Sequence, residues 1–163
     1  MKLPNHDHLS LRTATKQDVA QITALVGSVL AEHGLQIDLQ ATDADLQDIE
    51  QNYLAAGGAF EVIEDEQGKL LGTVGLYPLD RATCELRKMY FASSLRGLGL
   101  GHFMLERMIE QARSLGFARI TLETASVLKA ANHLYVKYGF RPVEKTHLPA
   151  RADLAYSLDL SQQ

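Results

Sequence analysis

Arg96-Gly97-Leu98-Gly99-Leu100-Gly101 places three glycines at alternate positions between a mixed apolar segment, Leu86 to Phe91, and a strongly amphipathic helix pattern. Glycines so spaced let the backbone approach a ligand closely and turn several N–H groups toward one point. The helix that starts there adds unsatisfied N–H groups and the positive end of its dipole, so the natural guest is an anion, a phosphate or pyrophosphate. Arg96 adds a planar cationic donor at the mouth of the loop. The alternative is a plain helix-entry turn. A P-loop needs Gly-Lys-Ser/Thr, and no lysine or hydroxyl closes this loop. A dinucleotide fingerprint starting at Gly97 needs glycine where His102 stands, a βαβ unit and an acidic residue about 20 positions on, none of them convincing here. The pattern that fits is Arg-x-x-Gly-x-Gly, from Arg96, Gly99 and Gly101.

The flanking segments predict a mixed α/β chain. Leu9 to Thr13 alternates as a short strand, and Thr15 caps a helix with Val19, Ile22, Val26, Val29 and Leu30 at helical spacing up to Gly34. Thr42 or Asp43 caps a second helix to about Ala55, with Leu46, Ile49 and Tyr53 on one face. Ala59 to Glu64 and Lys69 to Leu76 form a hairpin through Asp65-Glu66-Gln67-Gly68. Thr83 to Phe91 is a strand whose Leu86 and Met89 have opposite parity, so both faces are buried or a bulge intervenes. The loop helix runs to Gly116 with Leu100, Met104, Leu105, Met108, Ala112 and Leu115 on its stripe. A strand Ala118 to Thr124, a helix Val127 to Tyr138, and strands Phe140 to Lys145 and Ala152 to Leu158 complete the chain. Strands and helices mix without strict alternation, which predicts helices packed on a mixed sheet.

One domain, residues 1–163, is the expectation, large enough to bury about two-thirds of its unfolded surface. A single Cys84 rules out an internal disulfide and fits a reducing compartment. No apolar run approaches the roughly 18 residues that cross a bilayer, and polar Met1 to Ser10, with His6 and His8, is no signal peptide, so the expected location is cytoplasmic and off the membrane. Net charge is −4 but uneven: residues 1–82 carry 5 Lys/Arg against 13 Asp/Glu, and residues 83–163 carry 11 against 7. The basic half holds the anion loop, the expected sign for a polyanionic ligand. The acidic half either attracts a cationic amine or is ordinary solvated surface. No basic stripe interleaved with aromatics points to nucleic acid. His33, His102, His133 and His147 lack ligand spacing, so no metal is expected.

With these pieces in order, the chain resembles the GNAT (GCN5-related) N-acetyltransferase family. Glu85 to Phe91 is similar to the strand before the family's loop. Leu122-Glu123-Thr124, Ala131 and Leu134-Tyr135-Val136-Lys137-Tyr138-Gly139-Phe140 resemble its second signature, across roughly residues 83–145. The resemblance implies the GNAT fold: a mixed, mostly antiparallel sheet of about seven strands with about four helices, bulged and splayed at the central strands to admit a pantetheine arm. It implies acetyl-CoA as co-substrate, no metal, and direct transfer to a primary amine of a small molecule. A protein or peptide acceptor, or a non-catalytic acyl-CoA sensor on the same fold, is the alternative. Some relatives are dimers, so monomer and homodimer both stay open.

The family likeness also implies roles. Backbone N–H groups of Arg96, Gly97, Leu98, Gly99, Leu100 and Gly101 hold the pyrophosphate, and main-chain groups near Met89 and Phe91 pair with the pantetheine arm and polarise the thioester carbonyl. Tyr135 is the candidate general acid for the leaving thiolate, since a phenol with pKa near 10 keeps its proton at neutral pH. A core tyrosine is the alternative. Glu85 is the candidate base, acting through a water or holding the substrate ammonium, unless it is a solvent-facing strand residue. Glu123 is its rival. Cys84 is expected to be a buried small apolar residue, and Tyr138 a packing residue. Leu128 stands where many relatives carry a cofactor-contacting asparagine, with Asn132 as the candidate substitute. The acceptor site is expected from residues 30–42, Tyr77 to Arg81 and Lys145 to Arg151.

Overall fold

The structure, a computed structural model, describes residues 1–161. Its strands are β1 (Lys2–Leu3), β2 (His6–Thr13), β3 (Ala59–Glu64), β4 (Leu70–Pro78), β5 (Thr83–Phe91), β6 (Arg119–Thr124), β7 (Arg141–Pro142) and β8 (Leu154–Asp159). They form one sheet in the order β1-β2-β3-β4-β5-β6-β8-β7, antiparallel at every step except β5–β6. The helices are α1 (Val19–Glu32), α2 (Leu100–Ser114) and α3 (Lys129–Lys137). The fold is therefore the expected mixed, mostly antiparallel sheet with helices on both faces.

Each face carries its own core. On one, α1 buries Ile22, Val26 and Leu30 with Leu46, Ile49 and Tyr53 against Phe60, Val62 and Leu70. On the other, α2 buries Leu100, Met104, Leu105, Met108 and Ala112 with Leu134 and Tyr135 of α3 against Val74, Leu86, Ile120 and Leu122. The entry to α1 is a capping box, with the Thr15 amide donating to Asp18 Oδ2 at 2.8 Å.

Three elements differ from the sequence expectation. The segment read as a second α-helix is a 3-10 turn, Ala44–Asp48, followed by a π turn, Glu50–Leu54. It still buries Leu46, Ile49 and Tyr53, whose i+3 and i+4 spacings suit any helical winding. The strand expected over Phe140 to Lys145 is only Arg141–Pro142, and the chain then loops to β8. A two-residue strand at the N-terminus, β1, pairs with β2 and makes the sheet eight strands wide where about seven were expected.

The centre of the sheet is opened in two ways. Pairing between β5 and β6 covers only Thr83↔Arg119, Cys84↔Ile120 and Glu85↔Thr121, so the strands part beyond Glu85. The β4–β5 register shifts between Thr73 and Gly75, and Lys88 on β5 sits at φ +58°. This bulge explains the opposite parity of Leu86 and Met89. Thr73 Oγ1 donates to the Lys88 carbonyl at 2.7 Å and fixes it.

Candidate active site

The bulge and the splay open onto a cavity of about 1100 Å³ that reaches both faces of the sheet. At one end lies the glycine loop. Gly97 and Gly99 adopt φ of +78° and +77°, conformations open to glycine at little cost, and left-handed Gly99 is the N-cap of α2. The N–H groups from Gly97 through His102 donate to no oxygen of the described residues, whereas the Arg96 amide, expected in the same cradle, donates to the Ser93 carbonyl at 3.2 Å and closes the short turn before the loop. They surround a helix N-terminus, so the end of the cavity is an anion cradle. Gly101 lies against α3, where a Cβ would meet Leu134 Cδ2 at 3.4 Å, close to ordinary contact. Leu98 projects its side chain outward and offers only backbone. Arg96 spans the loop, with Nη1 2.5 Å from Glu32 Oε2 on α1 and Nη2 donating to the Phe91 carbonyl at 3.0 Å.

In the middle, β5 has lost β6 as a partner, so the edge carrying Met89 and Phe91 borders the cavity. Tyr135 of α3 lines the same space. It is 6% exposed, and its ring packs on Phe140 and Tyr156 at centroid distances of 5.7 and 6.2 Å. Burial raises the pKa of its hydroxyl above the ordinary phenol range, and the nearby Tyr90 raises it further. Leu128 also lines the cavity, whereas Asn132 does not: its Nδ2 donates to the Ala125 carbonyl at 2.9 Å.

The far end is a buried charge cluster. Glu85, expected to be a base or a solvent-facing strand residue, is only 4% exposed and takes a hydrogen bond from Arg87 Nε. Arg87 lies 3.8 Å over the Tyr77 ring, with Nη1 3.9 Å from Asp45 Oδ2. Asp45 Oδ2 also accepts the Tyr53 hydroxyl. Lys88 Nζ sits 2.8 Å from Asp43 Oδ1 and 3.4 Å from Asp45 Oδ1. Arg151 clasps Asp43 with both nitrogens at 2.5 and 2.6 Å and donates to the Gln36 carbonyl at 3.2 Å. Burial alone would raise Asp43, but hydrogen bonds from Arg151, the Asp38 amide and Lys88 hold its pKa down to about 2. The rival Glu123 is instead paired with Lys145 at 2.7 Å on the cavity rim.

Sequence reasoning missed Asp45, Arg87, Lys88 and Tyr90 as cavity groups, and Asp43 buried behind them. One signal was available: three charged residues, Glu85, Arg87 and Lys88, in a strand that must cross the middle of the sheet. Of the acceptor segments expected, Leu30, His33, Leu35, Ala41, Thr42, Tyr77, Pro149 and Arg151 line the cavity, while residues 78–81 do not. Cys84 is buried, which pushes its thiol up to about 12. Among the described residues no cluster of three His, Cys, Asp or Glu is placed to hold a metal.

Comparison with known proteins follows the same lines. The family model for the acetyltransferase (GNAT) family matches residues 30–140. The Escherichia coli protein described as uncharacterized N-acetyltransferase YjgM is 40% identical over 139 residues, covering 82% of this chain and 83% of that protein. A GNAT-family acetyltransferase from Staphylococcus aureus superposes with TM-score 0.86 at 25% identity, covering 93% and 99% of the two chains. The Salmonella typhimurium structure of yncA, a putative acetyltransferase with its cofactor acetyl-CoA, superposes with TM-score 0.72 at 22% identity over 96% of each chain.

Proposed function

Because the chain belongs to the acetyltransferase (GNAT) family, an acetyl-CoA-dependent N-acetyltransferase family, we propose that it moves the acetyl group onto a primary amine of a small molecule by direct attack. The carrying observation is one continuous cavity, with unpartnered amides at one end and a charge cluster under a roof at the other. Acetyl-CoA supplies an activated thioester, a carbonyl already primed for an amine.

The chain's own groups divide the remaining work. Amides 97–102 and the start of α2 neutralise the pyrophosphate, which takes charge but no side-chain chemistry. Backbone groups of Met89 and Phe91 on the freed edge of β5 orient the pantetheine and thioester. Tyr135, protonated at neutral pH, donates toward the departing sulfur. Glu85 leaves Oε2 without a hydrogen bond among the described residues and takes the proton from the incoming ammonium through water. With Asn132 held by Ala125, cofactor contacts from α3 fall to Leu128 and Tyr135.

A small acceptor is favoured over a protein terminus by the roof. Pro149 and Arg151 come from the loop before β8, and Arg151 ties that loop to Gln36 and Asp43 across the opening. Thiol release across a library of amines and peptides tests the proposal. Turnover with small amines and none with peptides is expected. Acetyl-CoA binding without turnover on any acceptor would point to a sensor instead.

A further inference from the structure

The six charges at the far end of the cavity balance, three acids against three bases, but they are not equally spent. Asp43 is fully buried and saturated by Lys88, Arg151 and the Asp38 amide, the last at 2.8 Å. Lys88 is shared between Asp43 and Asp45. Arg151 uses Nη1 on Asp43 and Gln36 and Nη2 on Asp43. Asp45 Oδ1 is closed off from solvent without a hydrogen bond, 3.4 Å from Lys88 Nζ, so it faces no ligand.

Arg87 differs. Its Nε is committed to Glu85, its Nη1 stands 3.9 Å from Asp45, too far for a hydrogen bond, and its Nη2 donates to no described residue. Its side chain is 23% exposed, against 17% for Arg151 and 6% or less for the other four. The charge that the cluster shows to the cavity is therefore positive, although its sum is zero. The Tyr77 ring at 3.8 Å and the Glu85 contact fix the guanidinium plane, so its free edge is a preformed fork. A planar fork of N–H donors matches a carboxylate.

Taking acetyl transfer to an amine, as proposed above, as given, we propose that the acceptor is an amino acid whose carboxylate is held by the free edge of Arg87. An acceptor with only cationic groups would meet this edge with like charge, and the one open carboxylate oxygen beside it, Glu85 Oε2, is already assigned to the proton of the reacting amine. A zwitterion brings the anion that Arg87 lacks and adds no net charge to a buried, balanced cluster. Tyr77 sets specificity through Arg87: it is a positioning residue, with no contact to the carboxylate itself.

The test compares kcat/KM for three matched acceptors: an amino acid, its carboxamide and its decarboxylated amine. A panel of side chains is run through the native enzyme and through R87Q and Y77L. The native enzyme should prefer the free amino acid by about tenfold to a hundredfold, a charge-assisted hydrogen bond expressed as a ratio. The preference should reside mainly in KM, vanish in R87Q and shrink in Y77L. Acetyl-CoA calorimetry checks that both variants are folded. The native enzyme also gives a variant-free arm: an N-acetylated amino acid should compete with the acceptor where its carboxamide does not. Equal or better turnover of carboxamides or diamines overturns the carboxylate assignment and leaves acetyl transfer standing. A preference that survives in folded R87Q overturns Arg87 as its source. No thiol release with any amine overturns both this inference and the function on which it rests.

Discussion

Tyr135 is a packed core residue to which the proposed mechanism gives a second role, that of the acid. Its ring belongs to the α2–α3 core against Phe140 and Tyr156, and the residue lines the cavity that the splayed strands open. Removing the hydroxyl leaves the packing intact, so Tyr135→Phe should separate the two roles. We expect kcat to fall by about a hundredfold or more, the lower range for loss of a general acid, with calorimetric affinity for acetyl-CoA unchanged. Equal turnover would return Tyr135 to the core. The raised pKa fixes the sign of its pH dependence. A group that acts while protonated is lost only above its pKa, and burial moves that point upward from the ordinary value near 10. Rates at saturating substrate should therefore show no alkaline decline below about pH 10 that belongs to Tyr135. A pH–rate profile that bends down near 8 in the native enzyme, and not in the phenylalanine variant, would contradict this.

Among the elements, β5 carries most of the proposed site, and one hydroxyl from β4 is bonded to its bulge. Thr73→Val keeps the branched shape and deletes the donor to the Lys88 carbonyl. It should cost about 1–3 kcal/mol, the penalty of a buried unpaired acceptor, measured by urea unfolding. Turnover should fall as well, because Lys88 holds its φ of +58° beside Met89. Wild-type stability in that variant would mean the bulge needs no such pin. The bulge was partly legible, since Leu86 and Met89 cannot share a face of a regular strand. So were the glycine loop, the α2 stripe and the β3–β4 hairpin, all local patterns. The winding of residues 44–54 was not, because Leu46, Ile49 and Tyr53 bury the same side of a 3-10, α or π turn. Nor was the charge cluster: Asp43 reads as a helix cap, and Arg151 reaches it from 108 residues away. Burial of Glu85, Arg87 and Lys88 is tolerable only because those distant partners exist.

Over the whole molecule, part of the acidic first half is paired with the basic second half, while Asp7, Asp48, Glu50, Glu66 and Asp80 are exposed, as solvated surface would be. Arg96–Glu32, Arg107–Glu61, Arg87–Asp45, Lys88–Asp43, Lys88–Asp45 and Arg151–Asp43 each join an acid from residues 1–82 to a base from residues 83–163. The exposed pair Arg96–Glu32 contributes little to stability, but the pairs at Asp43 are buried, and removing one partner strands the others. Asp43 thus couples the roof over the cavity to the fold, and acid should undo both together. Its folded pKa, about 2, lies below the ordinary 3.8, so the folded state binds fewer protons than the unfolded one between those values. The corresponding stabilisation, about 2 kcal/mol, is fully present above about pH 4 and drains away as pH falls toward 2. Asp43→Asn has no such charge at any pH and leaves Arg151 and Lys88 facing a neutral amide. At pH 7 it should be less stable than the native protein by about 3–5 kcal/mol. Thermal or urea unfolding of both proteins from pH 7 to pH 2 should show that gap closing progressively below pH 4, because the native carboxyl then loses its own charge. A gap that stays constant to pH 2 would mean that Asp43 acts through its shape and hydrogen bonds alone, with no part for its charge in holding the two halves together.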